Sequence, residues 1–163
     1  MNILAAQVGD VLKAHGLMLV SAESCTGGGV AHALTEIAGS SAWFERGFVT
    51  YSNESKRELL DVQQETLIQH GAVSEAVVRE MVAGALLHSH AQVALAVSGI
   101  AGPGGGTAEK PVGTVWFAWG FKHGIRVARH QYLHGDRAAI RAHAVNIALQ
   151  GVLDIFARRT EMT

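Results

Sequence analysis

The sequence contains a single cysteine, which excludes an internal disulfide and a thiolate zinc site built from this chain alone. Charge is scarce as well, at 17% of 163 residues, and nearly balanced, with a net charge of −1 when the histidines are neutral. That balance leaves no footprint for bulk binding to nucleic acid or an anionic membrane, although a local basic pocket stays open. No apolar run approaches membrane-spanning length, and no basic start leads into an apolar signal core. A soluble, cytoplasmic protein is therefore expected. Repeats, low-complexity tracts and linkers are absent too, so one domain over residues 1–163 is expected. The nine histidines are scattered, and none falls in a metal-binding spacing. His88 and His90 diverge on a helix, and His130 and His134 lack a neighbouring carboxylate, so no metal site is expected.

What is present is apolar: 48% of the residues are hydrophobic, enough for a core of ordinary size. Apolar positions three and four apart predict a helix over 3–15, which Gly16 ends. LMLVSA at 17–22 reads as a buried strand, followed by a glycine turn and a helix to about Ala38. FERGFVTYS predicts a strand, after which Ser52 or Asn53 caps a helix. QQETLIQHG reads as a short helix, and Ser74 caps a long one, SEAVVREMVAGALLHSH. QVALAVSGI is a continuous apolar strand of the kind covered on both faces. VGTVWFAWGF and GIRVARHQYL pair through a turn at 122–124, and Gly135-Asp136 opens a last helix. Early alternation and a late strand pair imply an α/β sandwich with a mixed sheet. Ligands of such sheets bind where loops leave the carboxyl ends of strands. Three polar loops leave such ends: 21–29, 51–56 and 98–110.

In the first loop, SAESCTGGG, a side chain after a strand is lifted above the sheet, and Ser24, Cys25 and Thr26 all qualify as nucleophiles. The plainer reading is a close-packed corner of small residues. It lacks the Lys-Ser/Thr ending of a P-loop and the spacing of a dinucleotide motif. In the second, YSNESKR, Lys56 on the first turn of a helix is a candidate base, since the helix dipole disfavours extra positive charge there. Tyr51 is placed to relay a proton or steady a hydroxyl. The plain alternative for Lys56 is a solvated helix residue. The third loop, SGIAGPGGGTAEKP, leads to a strand and not a helix, which fails the nucleotide-fold context. It remains a backbone-rich loop able to approach a polar ligand closely. Lys110 and the Gly135-Asp136-Arg137 turn add cations suited to a phosphate or carboxylate.

Read in order, AESCTGG at 22–28, GFVTYSNESK at 47–56, HGAVSE at 70–75, SGIAGPGGGTAEKPVGTV at 98–115 and GDR at 135–137 resemble the CinA C-terminal domain family. The likeness runs over nearly the whole chain and is strongest to the stand-alone branch, nicotinamide-nucleotide amidohydrolases of the PncC type. It implies a three-layer α/β/α sandwich with a mixed, mostly parallel sheet, assembled as a homo-oligomer. It also implies hydrolysis of the carboxamide of nicotinamide mononucleotide in pyridine nucleotide recycling, with no cofactor. Larger relatives carry this domain behind a molybdopterin-binding-like one, which is expected to be absent here. By resemblance the nucleophile is Ser24 and the base Lys56, with Tyr51 in the same constellation. Backbone amides of Cys25, Thr26, Gly27 and Gly28 would stabilise the oxyanion. Ser98, Gly99, Gly102, Gly105 and Thr107 would wall the nucleotide, and Arg137 would clamp its phosphate. Three rival readings stay open. In one, Cys25 is the nucleophile, its thiolate favoured by the helix dipole. In another, the chain binds a pyridine nucleotide without cleaving it. In the third, it is a scaffold that works only beside a partner chain.

Overall fold

The computed structural model describes residues 2–161. Helix α1 (Asn2–His15) ends at Gly16, whose φ of 65° lies in the left-handed region and lets the Leu17 amide turn back to the Leu12 carbonyl at 3.0 Å. Then come β1 (Leu19–Glu23), α2 (Gly29–Thr35), a 3₁₀ turn (Ser40–Ala42) and β2 (Phe44–Val49). Helices α3 (Asn53–Leu60), α4 (Gln64–His70) and α5 (Glu75–Leu87) precede β3 (Val93–Gly99). The antiparallel strands β4 (Thr114–Phe121) and β5 (Arg126–Tyr132) lead to α6 (Arg137–Glu161). Both expected serine caps are made: Ser52 Oγ accepts from the Ser55 amide at 3.0 Å and Ser74 Oγ from the Val77 amide at 3.3 Å.

The sheet order is β2-β1-β3-β4-β5, parallel across β2, β1 and β3 and antiparallel from β3 to β5. Only β4 therefore runs against the rest, and the mixed, mostly parallel sheet is as expected. Alternation along the strands assigns the two cores. Leu19, Val93, Leu95, Val97, Val115, Phe117 and Trp119 share one cluster with buried residues of α1, α2 and α6. Val20, Ala22, Ala94, Ala96 and Ala118 face the other cluster, with Val77, Val78, Met81 and Val82 of α5. The second face is built largely of alanine, so α5 sits close. At Gly84 it approaches the α3 end so closely that a Cβ would lie 1.8 Å from the Leu60 carbonyl oxygen. The result is three layers, helices on both faces of one sheet.

The parallel register places the carboxyl ends of three strands side by side. Glu23 pairs with Val49 of β2 and Val97 of β3. The ladder continues one step further: the Ser24 amide donates to Val97 O at 3.0 Å, and the Thr50 amide to Glu23 O at 2.8 Å. Ser24 and the chain entering α3 are thus fixed next to each other by sheet pairing. Two boundaries differ from expectation. Strand β1 starts at Leu19 and runs through Glu23, because pairing with Phe44 and Val93 begins there despite the apolar residues before it. Helix α2 stops at Thr35, before the left-handed Gly39 (φ 83°) and the 3₁₀ turn.

Candidate active site

The residue after β1 is Ser24, and the first helical turn of α3 carries Lys56 across from it. Both are buried, and Lys56 at 1% exposure is among the largest fully buried side chains. Its Nζ lies 2.9 Å from Ser24 Oγ, across 32 residues of sequence. The other two partners of Nζ are backbone carbonyls, Thr50 O at 2.7 Å and Tyr51 O at 3.4 Å. No carboxylate among the described residues pairs with it. Removal from water therefore dominates, pulling the Lys56 pKa down to about 8, with the neighbouring Cys25 opposing this weakly. The direction matches the sequence expectation, and its cause is burial.

The same burial acts the other way on Cys25. Desolvation pushes its thiol up to about 11, and the charge of Glu23 adds to this, against lowering by its own backbone amide, Lys56 and Arg141. This speaks against the rival reading of a dipole-favoured thiolate at Cys25. At neutral pH Cys25 is a buried thiol, and of the two side chains it is Ser24 that has an amine within hydrogen-bond distance.

A cavity of about 250 Å³ opens over the pair. Ser24, Cys25, Tyr51, Lys56, Ser98, Gly99 and Arg137 line it with Ala72, Val73 and Ala101. The structure thus brings together residues from all three loops. Ser98 Oγ is turned onto Ala72 O at 2.9 Å, fixing the cavity wall. Arg137 spans the mouth: Nη1 donates to Gly102 O at 2.7 Å and Nη2 to the Tyr51 hydroxyl at 3.2 Å. Tyr51 is 63% exposed, and it is its carbonyl that meets Lys56. Thr26, Gly27, Gly28, Gly102, Gly105 and Thr107 are not in the lining. Thr107 Oγ1 accepts from the Lys110 amide at 3.0 Å in a turn of its own loop, and Lys110 Nζ donates to His70 O at 2.5 Å. A second cavity of about 230 Å³, lined by Trp119, Arg129 and Arg158 among others, holds no paired nucleophile and base.

Residues 1–156 match the CinA C-terminal domain. The chain belongs to that family. Among its relatives is the nicotinamide-nucleotide amidohydrolase PncC of Escherichia coli (strain K12), 56% identical over 157 residues that cover 96% of this chain and 95% of that protein. The protein of the same name from Pseudomonas putida is 50% identical over 152 residues, 93% of this chain and 94% of its own. In three dimensions the chain is similar to the competence/damage inducible protein CihA from Agrobacterium tumefaciens, with a TM-score of 0.91 and 48% identity, covering 94% and 93% of the two chains.

In this CinA C-terminal domain two further residues shape the site that the sequence reading did not single out. Glu23 is fully buried beneath the 24–28 turn and accepts three hydrogen bonds: from Thr26 Oγ1 at 2.6 Å, Val30 N at 2.9 Å and Ala31 N at 3.0 Å. It does from inside the sheet what an N-cap side chain does from outside a helix. Arg141 of α6 holds the same turn from above, Nε donating to Cys25 O at 3.0 Å and Nη2 to Thr26 O at 3.4 Å. Its sequence signal was its place four residues after Arg137, on the same face of α6.

Proposed function

We propose that this chain hydrolyses the carboxamide of nicotinamide mononucleotide to nicotinic acid mononucleotide and ammonia, with Ser24 as nucleophile and Lys56 as general base. The reading rests on the buried 2.9 Å contact between Lys56 Nζ and Ser24 Oγ at the floor of the cavity. The substrate class comes from relatives named nicotinamide-nucleotide amidohydrolases.

A neutral amine has two N–H donors and one lone pair. The carbonyls of Thr50 and Tyr51 take the two donors, which turns the lone pair toward Ser24 Oγ. Nζ accepts the hydroxyl proton as Oγ bonds to the carboxamide carbon and the carbonyl electron pair moves onto oxygen. Amides of the 24–28 turn stabilise that oxyanion. Those of Cys25 and Thr26 have no backbone acceptor among the described residues, whereas Gly27 N is committed to Ser24 O at 3.1 Å. As the tetrahedral centre collapses, the C–N bond breaks and the Lys56 ammonium passes its proton to the departing nitrogen, releasing ammonia. Water then gives a proton to Nζ and its hydroxyl to the acyl carbon. Oγ leaves with the proton returned by Lys56.

The cavity suits the pyridine carboxamide, being somewhat below the ~300–1,000 Å³ of pockets that enclose larger ligands. Ribose and phosphate then extend past the mouth, toward Arg137 and the glycine loop with Gly102, Gly105 and Thr107. The test is ammonia release from nicotinamide mononucleotide by the protein and by Ser24→Ala. The expected result is a loss of more than ~10³-fold in the variant. In the wild type the rate rises with pH through a midpoint near 8, where Lys56 loses its proton, and levels off above it. Binding of the nucleotide without ammonia at any pH would leave a nucleotide-binding module instead.

A further inference from the structure

The two carbonyls that Arg141 holds belong to the peptides of the nucleophile turn. A trans peptide is planar, with C=O and N–H on opposite sides. Fixing the Cys25 carbonyl therefore fixes the Thr26 amide, directed away from Arg141. The guanidinium approaches from α6, outside the cavity, while Cys25 belongs to the lining. The turn is built to admit it: a Cβ on Gly27 would lie 3.2 Å from Arg141 Nη2, and Gly27 has a φ of 59°. One turn further along α6, Val145 packs so near Gly29 that a Cβ there would lie 3.0 Å from its methyl. One turn earlier, Arg137 ties Gly102 O to the Tyr51 hydroxyl. Residues 137, 141 and 145 share a face of α6 and fasten all three site loops to one rigid helix. Glu23 grips the same turn from below through its donors, so the backbone between is held by its acceptors above and its donors beneath.

The geometry points to Arg141 as a positioning residue, one that aims the Thr26 amide at the oxyanion without touching substrate. This rests on Ser24 acting as nucleophile. Removing an oxyanion donor outright costs ~10²–10³-fold in kcat, so releasing one from its alignment is expected to cost about 10- to 100-fold.

The experiment compares Arg141→Ala, Arg141→Lys and, as a control at the far end of the same helix, Arg158→Ala. Two readouts are taken: turnover of nicotinamide mononucleotide, and labelling of Ser24 by phenylmethylsulfonyl fluoride. In the labelling, Oγ displaces fluoride at sulfur and charge builds on the sulfonyl oxygens. Arg141→Ala is expected to lower kcat and the labelling rate by similar factors, with KM within threefold and the pH midpoint near 8 retained. Arg141→Lys, able to serve one carbonyl at a time, falls between, and Arg158→Ala matches wild type. Should Arg141→Ala not fold, the lysine variant carries the test. If wild type labels at Ser24 but does not release ammonia, the substrate reading falls and labelling alone decides on Arg141. Variants that match wild type in both readouts, or a loss confined to KM, overturn the inference. A wild type that neither turns over nor labels removes both readings.

Discussion

The serine turn at 24–28 and the glycine loop leave neighbouring strands at the same end of the sheet, yet they are built in opposite ways. Residues 24–26 are buried, and the turn is gripped by Glu23 from beneath and Arg141 from above. Residues 103–109 are exposed, and the bonds of the loop are chiefly its own: Thr107 with Lys110, Ile100 with Gly113 and Thr114. Chemistry at a carbonyl needs donors preset to within fractions of an ångström, which only a packed and fully bonded turn supplies. Contact with ribose and phosphate tolerates a surface loop whose backbone approaches the ligand.

The largest expected effect comes from the buried lysine. Lys56→Met is expected to abolish ammonia release while relieving the cost of a buried amine. Because the folded pKa lies below the ordinary one, wild-type stability is lowest when both folded and unfolded lysines are charged, below about pH 8. It recovers as pH rises toward 10.5. The stability difference between the variant and wild type should therefore shrink by about 3 kcal/mol over that window, read by urea unfolding. A pH-independent difference would break the account of Lys56.

Glu23→Gln tests the grip from below. An amide keeps one acceptor oxygen but replaces the other with a donor facing backbone N–H groups. The expected loss is about 1–3 kcal/mol of stability with a kcat reduced about tenfold or more. Unfolding curves and turnover together check it, and an unchanged kcat would detach the turn's rigidity from catalysis. Cys25→Ala, inside the same turn, should leave kcat within about threefold, because the thiol is neutral and only the backbone acts. Slow alkylation of native Cys25 by iodoacetamide at neutral pH would agree. Smallest is Thr107→Ala in the glycine loop, expected to raise KM about two- to fourfold with kcat unchanged. A kcat loss larger than that of Glu23→Gln would reverse the contrast between the two loops.

Much of the framework is legible in the sequence alone. The apolar run ending at Gly99 and the helix capped by Ser74 follow from local pattern and cap chemistry, and both stand at the expected places. The sequence pattern predicts α2 three residues too long, because its end is set by the bend through Gly39 and not by any change in polarity. At the site, Ser24 and Lys56 were named from their motifs. Glu23 reads in sequence as the polar end of a strand, and Arg141 as one more charge on a long helix. Only the fold shows what they hold. The rival reading of Cys25 as a thiolate fails for a related reason: the dipole of a helix end is visible in a pattern, whereas the depth of burial that outweighs it is not.

The sequence by itself determined the order of strands and helices, the family, and which residue types stand at the three carboxyl-end loops. These follow from short-range periodicity, capping and motif spacing, all of which act within a few residues. Tertiary structure decided that Lys56 meets Ser24 across 32 residues and that Arg141 meets Cys25 across 116. It also decided that burial makes the amine basic in a useful range and the thiol inert. Desolvation and convergence are properties of the packed interior, where each group's charge state depends on neighbours the chain order does not reveal.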